Sequence, residues 1–394
     1  MNPSSSGWIV KFGHLVSENP LPYSTFHELY ENLKEMGFVY GINVDSPKFL
    51  ISEHELTEDE KAKINLLTAL YYCYRFSKGE VDFNEFIDCV FSFYQKLDIT
   101  SISFIDKLLT GKKTSAQLEK LISSRIYIED NVISKTFNSN ITNSFLFMDV
   151  LVFENYLKGK NNIIAYAQYL EQVTINLAYH ALNSKETNEK DKKLAHLFAS
   201  SLSFIDGIKQ EFDEGFLEKI AKYSSPKESI YFLDIACLTV WEDQSLDFKE
   251  SQFIFDVGND LGFDKKNVKK HLENVASFFD KNAELIPHLK DHNLAFQFYD
   301  SMGKMVKKLI LRNSKRLQKE LSESKELVSL LSKSTTKELT AQEKKKIQNQ
   351  LLDIFKSIPS LAIFILPGGA VLLPIFIKLI PKLLPSAFDD NRVE

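Results

Sequence analysis

Three short runs in this 394-residue chain carry residue types that can hold a metal ion or a phosphate. Gly79-Glu-Val-Asp-Phe-Asn-Glu85 reads as the back half of a calcium-binding loop, in which a Gly makes the sharp turn and the final carboxylate, here Glu85, grips the ion through both oxygens. Counting back, loop positions one, three and five are Tyr74, Phe76 and Lys78, so three oxygen ligands are missing and a helix-turn-helix is expected. A related string, Gln244-Ser-Leu-Asp-Phe-Lys-Glu250, recurs 165 residues later, where Asp247, Phe248 and Glu250 match Asp82, Phe83 and Glu85. His288 and His292 stand one helical turn apart, a spacing that binds zinc, yet Glu284 is the sole obvious third ligand and no Cys is near. Gly111-Lys-Lys-Thr114 evokes a phosphate loop but has Asp106 and Lys113 where such a loop needs Gly and Ser or Thr. No Ser, Cys or Lys stands in a nucleophile motif, so neither an enzyme activity nor a cofactor is expected.

The elements that position these residues follow from composition. The chain is 44% apolar, 12% aromatic and 26% charged with a net charge of -5, which is globular and argues against DNA as a partner of the whole chain. Its three cysteines cannot all pair, and no signal peptide precedes the first apolar run, so a reducing cytoplasm is expected. Lys far outnumbers Arg, and Phe, Ile and Asn are plentiful, the bias of an AT-rich bacterial genome. Positions 48 to 225 contain no proline, whereas Pro359, Pro367, Pro374, Pro381 and Pro385 fall in the last 36 residues.

A long proline-free stretch with apolar residues every three or four positions predicts an all-α, multi-helix bundle. The pattern predicts helices over 24–36, 57–77, 83–97, 114–128, 144–158, 163–183, 190–205, 211–223, 227–241, 248–261, 266–284, 291–331 and 341–357. Ser24 precedes one amphipathic run, and Thr57 with Glu60 and Thr340 with Glu343 fit capping boxes. The charged run 185–193 marks either a boundary or a solvated helix start. The organisation expected is a helical domain over 1–184, a second over 185–286, a basic connector over 287–340 and an apolar C-terminal segment over 341–394.

The connector carries Lys304, Lys307, Lys308, Arg312, Lys315, Arg316 and Lys319 between Met302 and Lys319 with no acid. At 100° per residue they share one half of a helical wheel, with Met302, Val306, Leu309, Ile310, Leu317 and Leu321 opposite. Such a helix lies on anionic lipid headgroups, packs its apolar face on the protein, or meets RNA. Beyond it, Ser357 to Ile377 is 21 residues without a charge. One helix of that length spans about 31 Å, a hydrocarbon thickness; two short helices broken at Pro367-Gly-Gly369, or an apolar hairpin buried in the protein, are the other geometries.

Two resemblances join these readings. Phe204-Ile-Asp-Gly207, Ile230 to Trp241, Asp243 to Glu250 and Leu261-Gly-Phe-Asp264 resemble the tellurite-resistance TerB-like helical domains over about 90 residues, some of which bind divalent metal through acidic side chains. The resemblance makes Asp243, Asp247 and Glu250 the candidate metal ligands here. Leu339-Thr-Ala-Gln-Glu343, Leu352-Asp-Ile-Phe355, Ile358-Pro359, Phe364, Pro367, Leu372-Leu-Pro374, Lys378-Leu379, Pro381 and Leu384-Pro-Ser-Ala-Phe388 resemble the membrane-segment region of the LETM-type family. That family's members are mitochondrial inner-membrane proteins linked to cation/proton exchange and ribosome binding, and a ribosome-binding-like domain follows the segment in them. A TerB-like unit ahead of such a segment also resembles bacterial LETM-related proteins associated with biofilms.

Together these predict a non-enzymatic, membrane-associated scaffold or binding protein on the cytoplasmic side of the bacterial inner membrane. Its membrane segment would comprise Pro359, Phe364, Pro367, Gly368, Gly369, Pro374, Lys378, Pro381 and Pro385, backed by the basic helix. Membrane lipid is the expected partner, with the ribosome a further one. The other readings are a cation/proton transport component and a divalent-metal sensor.

Overall fold

The computed structural model describes residues 1–18, 22–97 apart from 51, 53 and 81, 114–126, 146–184 apart from 161, 220, 225–241 and 248–285. Toward the C-terminus it describes 303, 306–334 apart from 308, then 337, 339–358, 361, 364 and 372–389. Fifteen α-helices and no strand occur among these residues, so the all-α expectation holds for them.

The first four are α1 (Trp8–Glu18), α2 (Phe26–Glu35), α3 (Glu58–Lys78) and α4 (Phe83–Lys96), followed by α5 (Ser115–Ile126), α6 (Leu146–Leu157) and α7 (Ile163–Ser184). Then come α8 (Pro226–Val240), α9 (Phe248–Asp260) and α10 (Lys265–Lys281). Side chains start several of them. Thr57 with Glu60 closes a capping box at α3 and Asp264 caps α10, each satisfying amide groups that a helix start leaves unpaired. At α2 the cap is Thr25 rather than Ser24, whose own N–H is instead held by the Glu28 carboxylate at 2.7 Å. Pro226 sits in the first turn of α8, where its missing N–H costs nothing. The N-terminal run that forms α1 carries no such signal and lies outside the helices that the sequence predicts.

Buried on nearly every side, α3 packs against α2, α4, α5 and α6, and α8 packs against α7, α9 and α10. Phe147 of α6 joins the two groups: its ring lies 5.1 Å from Tyr30 and 5.4 Å from Tyr231, centroid to centroid. The expected boundary at 185–193 lies outside the described residues, and α7 and α8 on either side of it pack on each other.

Two buried ionic groups stitch these helices together. Arg125 of α5 meets Asp149 of α6 through two hydrogen bonds of 2.6 and 2.9 Å, and the Tyr94 hydroxyl of α4 donates to the same carboxylate at 2.9 Å. Asp234 of α8, 0% exposed, accepts from the Tyr30 hydroxyl at 2.6 Å and pairs with His271 Nδ1 of α10 at 2.7 Å. Lys34 of α2 lies 3.4 Å from it and 2.8 Å from Glu31. Burial alone would raise the Asp234 carboxyl, but Lys34 and then His271 outweigh it and hold the group below its ordinary value. Burial likewise opposes the Lys34 ammonium, and Asp234 overcomes it, so Lys34 is raised.

The remaining helices form a C-terminal unit: α11 (Ser314–Glu323), α12 (Lys325–Ser334), α13 (Ala341–Ser357), α14 (Leu373–Leu383) and α15 (Ser386–Asp389). They pack on one another, α12 against α11, α13, α14 and α15. The long helix expected over 291–331 is broken at Asn313 and again at Ser324, whose extended-side backbone ends α11; residues 286–302 lie outside the described set. The apolar half of the expected wheel survives the breaks, because Val306, Ile310, Leu317 and Leu321 are all fully buried. A capping box of Thr340 and Glu343 starts α13 as expected.

The expected 21-residue membrane helix over 357–377 is corrected. Helix α13 ends at Ser357, and Pro374 sits in the first turn of the separate 11-residue α14. Phe364 is 2% exposed, stacked on Phe355 at 4.6 Å and set edge-on to Phe376 at 5.0 Å, while Phe355 and Phe376 also meet at 5.0 Å. Among the described residues no helix is long and apolar enough to cross a membrane. The described apolar residues of the run, Ile358, Leu361, Phe364, Leu372, Leu373, Ile375, Phe376 and Ile377, are buried in the core of this unit, and the described prolines act as punctuation: Pro381 falls in the last turn of α14 and Pro385 just after its C-cap. Pro359, Pro367, Gly368 and Gly369 lie outside the described residues.

Two substitutions test this packing. Asp234→Asn removes the carboxylate shared by Tyr30, His271 and Lys34 and leaves Lys34 with Glu31 alone, a change that costs about 1–3 kcal/mol at pH 7 in urea unfolding. Because the folded Asp234 titrates below its unfolded counterpart, its stabilisation is complete above about pH 5 and fades as the pH falls through the lowered value, so the gap to the wild type narrows below about pH 4. A gap constant from pH 7 to 3 contradicts the pairing. Phe376→Ala removes the centre of the aromatic trio and costs about 3–5 kcal/mol; it lowers amide-exchange protection of α12, α13 and α14 together, and unchanged protection refutes their shared core.

Candidate functional site

The sequence places its most promising residues in the C-terminal unit, and the structure sorts them by exposure. Lys307, Arg312, Lys315, Arg316 and Lys319 all face solvent, as do Lys378 and Lys382 one turn apart on α14. Lys304 and Lys308 lie outside the described residues. The face opposite the first group is buried core, so the basic helix of the connector packs its apolar side on the protein and offers only its charge. Leu311 is the exception, 47% exposed beside Arg312.

Three acidic groups of the unit, Glu320, Glu326 and Glu343, are bonded between its helices. Glu343 pairs with Lys333 at 2.6 Å, the hydrogen bond to Lys333 and the Thr340 N–H drawing its carboxyl down to about 2. Glu326 accepts from Lys346 at 2.7 Å and is held down by that contact. The Ser357 hydroxyl reaches Glu320 at 3.3 Å and ties the end of α13 to α11. Among the described residues Lys307, Arg312, Lys315, Arg316, Lys319, Lys378 and Lys382 make no ion pair.

Charge is divided unevenly along the chain. Residues 301–394 hold 17 Lys and Arg against 9 Asp and Glu, a net of +8, which leaves -13 on residues 1–300 of a chain whose total is -5. An acidic helical body therefore carries a basic C-terminal unit. Unpaired exposed cations on a rigid surface attract phosphate, because each one neutralised releases condensed counterions. The total charge conceals this division, which a count by segment reveals.

The other sequence candidates do not assemble. Asp82 spends its carboxylate capping α4, accepting from the Asn84 and Glu85 amides at 2.7 and 3.2 Å, and Gly79 ends α3 with a positive φ of 82°. The calcium-like string is a helix-turn-helix. Asp243 and Asp247 lie outside the described residues, as do the side chain of Glu250, His288, His292 and 111–113. Among the described residues no group of three His, Cys, Asp or Glu side chains is placed to hold a metal ion. Sequence reasoning misses the Asp234 and Asp149 networks entirely, since a lone acid in an apolar run gives no sign of its partner.

Comparison with known proteins addresses the C-terminal unit. No solved structure matches the chain. A stretch of 55 residues is 40% identical to the LETM1 domain-containing protein mdm28, mitochondrial, of Schizosaccharomyces pombe, covering 14% of this chain and 12% of that protein's length. Residues 339–394 match the family model described as LETM1-like, RBD, the ribosome-binding domain. The matched pattern is described as that of the binding domain, not of a membrane segment, and its described apolar residues Ile358, Leu361, Phe364, Leu372, Phe376 and Ile380 are buried. From Leu339 onward, the chain is similar to the ribosome-binding domain of LETM1-like proteins.

Proposed function

We propose that the C-terminal unit binds the ribosome through exposed RNA phosphates and that the acidic helical body is a platform carried by it. The observation behind this reading is the likeness of residues 339–394 to the LETM1-like RBD. The unpaired cations supply the chemistry: Lys378 and Lys382 lie within the matched stretch, and Lys315, Arg316 and Lys319 lie on α11, which packs against α15. Such cations position a protein on nucleic acid without reading sequence, and a negative body turns away from the same surface. A role without bond-making chemistry fits this arrangement.

Attachment to anionic lipid on the inner face of a membrane is the second reading, favoured by Leu311 exposed among Lys307, Arg312 and Lys315. A short apolar side chain amid cations suits the headgroup boundary. The cation/proton transport and metal-sensing readings gain no support from this geometry.

Co-sedimentation of the full chain with purified ribosomes separates these. The chain pellets with ribosomes at low salt, and the logarithm of its affinity falls linearly with that of salt. Reversing Lys315, Arg316 and Lys319 to Glu reduces that slope by about 1 for each phosphate that is no longer neutralised. Failure to pellet at low salt, or a reversal that changes nothing, overturns the ribosome reading; flotation with phosphatidylglycerol vesicles instead supports the lipid one.

A further inference from the structure

The aromatic residues of this chain are distributed as unevenly as its charge. The whole chain holds 31 Phe, 15 Tyr and 2 Trp, yet residues 301–394 contain only Phe355, Phe364, Phe376 and Phe388, with no Tyr, Trp or His. Phe355 and Phe376 are 0% exposed and Phe364 is 2% exposed, while Phe388 is partly buried against the same core. Three of the four rings are spent inside the unit, and the fourth has one side against it. Proteins that recognise single-stranded RNA splay its bases onto aromatic side chains, and this surface has almost none to offer.

Its cations are of the kind that meets phosphate. Of the 17 in residues 301–394, all but Arg312, Arg316 and Arg392 are Lys. Lys is a compact point charge, whereas the planar guanidinium of Arg is the group that also stacks on bases and reads their edges. Arg312, Lys315, Arg316 and Lys319 fall within about 100° on the helical wheel and cover about 10 Å of helix axis. Helical hydrogen bonds bridge the turn at Asn313, from its N–H to the Leu309 carbonyl at 3.2 Å and from the Leu317 N–H to its own carbonyl at 2.8 Å. The four cations therefore stand on one stiff face. Glu320, the first acid after them, accepts from the Ser357 hydroxyl of α13.

A stiff face meets most phosphates where they are densest and fixed in place. A duplex carries the phosphates of two strands along its axis and a single strand those of one. The wide, shallow minor groove of A-form RNA also brings both backbones within reach of a protein surface that reads no bases.

We propose that the RNA recognised by the C-terminal unit is base-paired, its two backbones held by Arg312, Lys315, Arg316 and Lys319 through charge and shape and without regard to sequence. This rests on the ribosome reading above and narrows it to helical segments of ribosomal RNA, as against loops and single-stranded ends.

Fluorescence anisotropy of the full chain with labelled RNA tests this beside co-sedimentation with ribosomes. A duplex of about 20 base pairs and an unstructured oligouridine of about 40 nucleotides carry matching numbers of phosphates. The duplex is expected to bind at least about tenfold more tightly at low salt, and duplexes of unrelated sequence to agree within about fivefold. Lys315→Glu, Arg316→Glu and Lys319→Glu combined, all at exposed positions, bring the duplex down to the affinity of the single strand at an unchanged Tm. Added duplex displaces the chain from ribosomes, and oligouridine at equal phosphate does not. A smaller advantage for the duplex, a wider spread among sequences, a folded triple variant that keeps the preference, or chain that pellets with ribosomes and is not displaced by duplex overturns the base-paired target and leaves the ribosome reading standing. Chain that binds duplex yet does not pellet overturns the ribosome reading alone, and chain that does neither overturns both.

Discussion

Three aromatic rings, Phe355, Phe364 and Phe376, decide what the C-terminal third shows to its surroundings. Each lies about 5 Å from the other two, within the separation at which aromatic pairs add to the burial of their surface. Once they meet, the described apolar residues on either side, Ile358, Leu361, Leu372 and Leu373, share a buried core with α12, α13 and α14, and there is no long apolar helix among the described residues. The same burial turns Lys307, Arg312, Lys315, Arg316, Lys319, Lys378 and Lys382 outward. Core formation and the charge of the surface are thus one event.

In the acidic body the comparable constraint is electrostatic. Asp234 and Asp149 are carboxylates in the interior, tolerable only because Lys34, His271 and Tyr30 surround the first while Arg125 and Tyr94 surround the second. Well-packed hydrophobic residues would often be as stable as buried pairs of this kind, so what the pairs add is geometry. Asp234 fixes α2 and α10 on α8.

Much of this architecture is legible in the sequence, for reasons that can be named. Helices α3, α4, α7 and α13 are anticipated within a residue or two because capping residues and apolar spacing are local signals. The connector's breaks at Asn313 and Ser324 are not, since neither residue forbids a helix. The C-terminal prolines suggest a membrane helix in the sequence, yet Pro374, Pro381 and Pro385 follow the grammar of short packed helices: first turn, last turn, just past the cap. An uncharged run has the length of a span whether lipid or protein covers it, and only the tertiary contacts of Phe364 distinguish the two. The basic face is where the helical wheel puts it, whereas the partners of Asp234 lie as far off in the chain as Tyr30 and leave no local trace.

The proposed role of the C-terminal unit depends on its being a folded, basic surface. Hydrogen-deuterium exchange of the full chain, alone and with ribosomes or anionic vesicles, probes both properties at once. Slow exchange across α13 and α14 is expected in the free protein, with added protection at 307–319 and 373–383 when ribosomes are present. Fast exchange of α13 and α14 in the free chain, with protection gained only on vesicles and centred on 358–377, would show instead a segment that orders in lipid and would overturn the folded surface.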